Sequence, residues 1–169
     1  MVRRVVTRRR LIASLGAFWL IPQLAGADEY IDLDWNDLVP KGQTIVPPML
    51  QGLIDHDQAP LSNQQPQSTG VRTDLNGQIV RLPGFIVPIE YSGTGVTAFI
   101  LVPFVGACVH VPPPPPNQLV FVTTQEPYES SGMFEPVNVI GMFGVSSMST
   151  QLADIAYALS ADRIEPFKS

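Results

Sequence analysis

The chain has 169 residues, with ten Lys and Arg against fifteen Asp and Glu, a net charge of −5, 45% hydrophobic residues and a single cysteine. One cysteine excludes an internal disulfide framework, and the acidic balance disfavours nucleic acid and anionic lipid as partners. The length suits one domain around one apolar core.

Five arginines (Arg3, Arg4, Arg8, Arg9 and Arg10) open the chain, residues 11–24 are mostly apolar, and Ala25-Gly26-Ala27 places small residues at a cleavage-like position. That order predicts an export signal peptide over residues 1–27 and a periplasmic or secreted product. The apolar stretch is short and carries Pro22 and Gln23, so a membrane anchor is the less favoured alternative, and no stable span is expected after signal removal. Thr7 to Ile12 fits the twin-arginine pattern loosely. Removal of the signal leaves five basic against fifteen acidic residues, a net charge of −10.

Residues 28–70 read as an N-terminal extension followed by a flexible connector. Trp35 and Leu38 are spaced for one turn of helix docking on the core, and Pro40 closes that stretch. Leu50, Leu53 and Ile54 suggest a short helix that delivers Asp55, His56 and Asp57, two carboxylates flanking an imidazole. Such a triplet is either a hard-ligand cluster or a solvated loop. Residues 59–70, with Asn63, Gln64, Gln65 and Gln67 and no charge, form the connector.

From Val71 to the end the pattern is β. Residues 78–90 hold Ile79, Val80, Leu82, Phe85, Ile86, Val87 and Ile89, preceded by the turn dipeptide Asn76-Gly77. Pro83-Gly84 within this run predicts a bend of the kind a barrel requires. Further strands are expected over 96–105, 119–123 and 136–143. Residues 126–135 connect the last two, with Met133 and Phe134 on the core. Leu152, Ile155, Ala156 and Leu159 recur at i, i+3, i+4 and i+7, which predicts an amphipathic helix over 150–160 with Ser149 as N-cap. Residues 163–167 read as a last short strand. The fold class is therefore mainly β, a small barrel or sandwich with an OB-like form among the options, carrying one C-terminal helix.

The stretch 101–118 concentrates the chemistry. Cys108 and His110 lie two residues apart, just before Pro112, Pro113, Pro114, Pro115 and Pro116, with Asn117 and Gln118 at the exit. On an extended strand over 99–111 the thiol and the imidazole would share one face, with Cα atoms roughly 6.5–7 Å apart. Thiolate and imidazole are preferred zinc ligands, and the missing positions would fall to Asp55, His56, Asp57, a distant carboxylate such as Glu90, or water. Met133, Met142 and Met148 read as core, although thioether and thiol together suit Cu(I). A nucleophilic role for Cys108 is disfavoured, since side chains two apart on a strand run parallel and no oxyanion or orienting group is evident. In the structural alternative Cys108 is a small buried hydrophobe, His110 bonds to the loop, and the proline run is a stiff polyproline II surface for a partner, with Asn117 and Gln118 satisfying its exit.

The string from Pro103 to Gln118 resembles the signature of the bacterial domain-of-unknown-function family 3299. Leu82-Pro83-Gly84-Phe85-Ile86-Val87-Pro88 upstream and Pro136-Val137-x-Val139-x-Gly141 downstream are similar as well. The resemblance runs from Trp35 to Phe167. It departs where the family tends to Ala-Gly-Tyr and this chain has Ile155-Ala156-Tyr157. It implies an exported protein without an established activity, some members being encoded beside ABC-transporter components associated with zinc supply. The expectation is a non-enzymatic exported accessory protein of an envelope ABC-type transport system handling zinc, with transporter components as partners. The alternative is a structural or protein-docking module that uses the proline-rich loop without metal.

Overall fold

A computed structural model describes residues 30–42, 65–68 and 70–167. The expected signal peptide and the Asp55-His56-Asp57 triplet lie outside the described residues. A two-residue strand β1 (Ile31–Asp32) precedes β2 (Gln78–Ser92), β3 (Gly95–Val102), β4 (Val120–Tyr128), β5 (Pro136–Ser149) and β6 (Asp154–Pro166). Single 3-10 turns occupy Trp35–Leu38, Thr73–Leu75 and Pro116–Gln118.

Strands β2 to β6 close on themselves in the order β2-β3-β4-β6-β5, and β5 pairs back onto β2. Adjacent strands of the barrel pair antiparallel except β4 and β6, which run parallel. This is a five-stranded barrel with OB-like connectivity. One long strand makes the closure. From Gln78 to Phe85, β2 pairs with β5, and from Phe85 to Ser92 it pairs with β3. The expected bend at Pro83-Gly84 sits at that hand-over, where a Cβ on Gly84 would come within 2.7 Å of Leu101 Cγ. The missing side chain leaves room for Leu101 of β3 to pack against β2 at that point.

Strand alternation divides the apolar residues into two clusters. Leu82, Ile86, Phe99, Leu101, Val122, Val139, Tyr157 and Leu159 fill the barrel, with every barrel strand represented. The opposite parity on β2 and β3, Val87, Ile100 and Val102, belongs to a second cluster outside the barrel wall. Leu33, Leu38 and Leu75 from the N-terminal side join the barrel core. The Trp35–Leu38 turn is capped by Asp34, whose carboxylate accepts from the Asn36 amide at 2.7 Å. Trp35 and Leu38 therefore dock on the core as their spacing predicted. Inside the barrel Tyr157 secures this segment, its hydroxyl donating to the Leu38 carbonyl and accepting from the Arg72 amide, both at 2.7 Å.

The expected helix over 150–160 is not formed. Residues 150–153 form the turn after β5, and from Asp154 the chain runs as β6, which to Pro166 also takes up most of the short strand expected at 163–167. The period-2 set Ala153, Ile155, Tyr157, Leu159 and Ala161 is the buried one. Two strands, β4 and β5, each need a partner to complete their ladders, and one extended segment between them satisfies both, which a helix cannot do.

Candidate functional site

Between β3 and β4 the chain leaves the barrel as a tight loop, not as the continued strand expected over 99–111. Gly106 takes φ +94, a left-handed conformation that glycine adopts without a Cβ penalty. Its carbonyl then accepts from the amides of Val109, His110 and Val111 at 3.3, 2.9 and 3.2 Å. Cys108 itself has φ 66, a costly value for a residue with a Cβ.

This geometry separates the two residues that sequence reasoning placed side by side. Cys108 turns inward and is 2% exposed, among Val87, Ile100, Val102, Ala107, Leu119, Ala153 and Ile155. Burial pushes its thiol from 9.0 up to about 12, which disfavours the thiolate that binds metal. His110 turns outward to solvent, its ring 6.2 Å from that of Phe134. The expectation of a shared strand face is thus corrected: a turn replaces the strand, so the period-2 rule does not apply. Among the described residues no three His, Cys, Asp or Glu side chains are grouped to hold an ion.

The prolines continue as a brace. Pro113 and Pro114 are buried and the other three half-buried; Pro115 has the polyproline II values φ −52 and ψ 150. Gln65 locks the run to the β6 end: its Nε2 donates to the Pro114 and Asp154 carbonyls at 2.9 and 2.8 Å, and its Oε1 accepts from the Asp154 amide at 2.8 Å. At the exit, Asn117 and Gln118 are buried polar side chains. Asn117 Nδ2 donates to the Gly70 carbonyl at 2.9 Å and Gln118 Nε2 to the Trp35 carbonyl at 2.8 Å. Trp35 Nε1 in turn donates to the Pro83 carbonyl. These two residues tie the loop to the N-terminal segment, going beyond the exit role expected of them.

A second loop, residues 129–135, meets the first. Glu135 organises it, one carboxylate oxygen accepting from the Tyr128 hydroxyl at 3.0 Å and the other from the Ser130 hydroxyl and Ser131 amide at 2.7 Å. Burial opposes ionisation of Glu135, but the hydrogen bonds from Ser130, Ser131 and Tyr128 outweigh it and hold its carboxyl below the usual range. Phe134 bonds to the Ile86 carbonyl through its amide at 2.7 Å and takes φ 62. The only two non-glycine residues with positive φ among the described residues, Cys108 and Phe134, therefore stand in the two loops that touch at His110 and Phe134.

These two loops also carry Val105, Val111 and Met133, which are 61%, 41% and 54% exposed. Sequence reasoning placed Met133 in the core and gave Val105 and Val111 to a strand. Met142, also expected in the core, is exposed on β5, and Met148 is half-buried. The absence of any charge from Tyr91 to Gln125 was the available signal for an apolar surface here.

The same loop closes another site. OB-type barrels bind oligonucleotides and oligosaccharides on the face of their second and third barrel strands, with the loops between strands one and two and four and five. Here the outward residues Ile100 and Val102 of the second barrel strand are covered by Ala107 and Cys108. The two loops are short, Gly93-Thr94 and residues 150–153. The covered face and the acidic charge both disfavour nucleic acid.

The family model described as "Protein of unknown function (DUF3299)" matches residues 35–166. Among solved structures, the chain is similar to a DUF3299 family protein from Pseudomonas aeruginosa PAO1, at 34% identity and a TM-score of 0.71, over 83% of this chain and 98% of that one. No curated protein matches.

Proposed function

The chain belongs to the DUF3299 family, and from that premise we propose that it is an exported, non-enzymatic docking module that meets a partner protein through the surface around Val105, Val111 and Met133. The observation that carries this reading is that the two loops holding the strained residues Cys108 and Phe134 touch each other and also carry exposed apolar side chains. Left-handed backbone at Cys108 and Phe134 costs of order 1–3 kcal/mol each and persists only where the surroundings enforce it. Here the Gly106 turn, the proline brace and the Glu135 hub do so, and the effect is to present apolar side chains to solvent in a fixed arrangement. Fixing a surface before binding reduces the entropy lost on association.

The partner we propose is a component of an envelope transport system, a choice that rests on the genomic setting implied by the family resemblance. A zinc-handling role gains no support from Cys108, whose thiol is sealed in an apolar cluster. The absence of catalysis remains part of the proposal, and the inert environment of the one candidate nucleophile supports it.

A photo-crosslinking side chain placed at Val105 in the producing cell tests the docking reading. The expected result is a discrete adduct with one envelope protein that Met133→Asp removes and that the same crosslinker at the exposed Asp162 does not form. Equal adducts from both positions, or none from Val105, would overturn it.

A further inference from the structure

We infer that the N-terminal segment, residues 30–42, is a strap that opens together with the proline-rich loop as one unit while the barrel stays closed. The strap then sets whether the loop around Cys108 is fixed or free. Hydrogen bonds within the fold carry this inference, and its test does not involve the docking reading above.

The strap is held by side chains of other elements more than by its own ladder. Three carbonyls of the turn Trp35–Leu38 accept from outside it: Gln118 Nε2 donates to Trp35 at 2.8 Å, Arg72 Nη1 to Asp37 at 2.9 Å and the Tyr157 hydroxyl to Leu38 at 2.7 Å. Its share of the sheet is small, two register pairs between β1 and β2. Strands β2 to β6 complete their ring of pairings without it. Withdrawal of the strap therefore breaks none of the ladder that closes the barrel. It gives up those three bonds, the Trp35 bond to the Pro83 carbonyl and the burial of Leu33 and Leu38. Segments with so few ties open at a lower cost than the strands beneath them.

The loop must follow the strap. Asn117 and Gln118 are buried, and their side-chain amides donate to the Gly70 and Trp35 carbonyls. Gly70 itself lies against the strap, since a Cβ there would be 3.4 Å from Pro40 Cγ. A buried amide that loses such an acceptor carries a desolvation penalty, which it relieves by turning to water. Both residues belong to the turn Pro116–Gln118, next to Leu119, and Leu119 shares the apolar cluster that seals Cys108. Cys108 is held at φ 66, a conformation that persists only while its surroundings enforce it. Movement at Gln118 is thus carried through Leu119 to the thiol.

The test is labelling of Cys108, the single cysteine, by N-ethylmaleimide in urea below the global transition. Wild type is compared with Leu38→Ala in the strap and Leu159→Ala, the same change in the barrel core on β6. The expected labelling rate rises with urea at less than about half the slope of global unfolding. At the lowest urea Leu38→Ala raises it about tenfold or more, while Leu159→Ala leaves it within about twofold. Trp35→Phe beside Val139→Ala gives the same comparison with milder changes should either leucine variant fold poorly. Labelling that follows the slope of global unfolding at every urea concentration, or that strap and barrel variants accelerate equally, would overturn the inference.

Discussion

Cys108 should be chemically silent in the folded protein. With its thiol moved from 9.0 to about 12 by burial, the thiolate fraction at pH 8 falls from roughly one in ten to about one in ten thousand, so alkylation slows by about 10³-fold before any barrier to reagent entry is counted. Iodoacetamide labelling at pH 8, read by mass spectrometry with and without denaturant, measures the ratio directly. A stability consequence follows from the same shift. Because the folded value is raised, the protein's stability from this group is fully present below about pH 9 and is lost as pH rises toward 12, at about 1.4 kcal/mol per unit. Cys108→Ala should flatten the alkaline limb of the stability profile. A native labelling rate within tenfold of the denatured rate, or an alkaline limb unchanged in Cys108→Ala, would refute the inward placement.

Three further changes probe the frame that holds the loops. Tyr157→Phe leaves the Arg72 amide and the Leu38 carbonyl without their partner, at a cost of about 1–3 kcal/mol, which calorimetry should register as a fall in Tm of about 3–10 °C. Gly141→Ala should be far worse, at least about 3 kcal/mol. Its Cβ would overlap the Ser160 carbonyl oxygen and sit 2.9 Å from Ala161 Cα, backbone that cannot yield; circular dichroism of the soluble fraction would show the loss of fold. Glu135→Gln should reduce the acid sensitivity of Tm. The wild-type carboxyl is held below its unfolded value by the bonds from Ser130, Ser131 and Tyr128 against the opposing effect of burial. Its stabilisation is therefore complete above the unfolded value and is lost as pH falls through the folded one.

The β-rich class was legible because residues 78–90 and 96–105 combine alternation with turn dipeptides, and the Pro83-Gly84 bend landed where β2 changes partners. Residues 150–160 misled because Leu152, Ile155, Ala156 and Leu159 satisfy a helical period while Ile155, Tyr157, Leu159 and Ala161 satisfy a strand period. The choice is made by strands β4 and β5, far away in sequence, whose open ladders need a partner. The candidate site was legible in location and not in geometry. A proline-rich, uncharged stretch marked the loop, but the left-handed turn at Gly106 and Cys108 that sends the thiol inward and the imidazole outward depends on the second apolar cluster beneath it. Loop 129–135 left almost no signal, since Glu135 and its three donors look like ordinary surface polarity in one dimension.

The loop around the sealed Cys108 forms a surface, not a metal centre at Cys108 and His110. A zinc titration of the reduced protein by calorimetry, beside Cys108→Ser and His110→Ala, tests that directly. The expected result is that neither substitution changes whatever zinc binding the chain has. Stoichiometric binding that both substitutions weaken by tenfold or more, about 1.4 kcal/mol each, would contradict it.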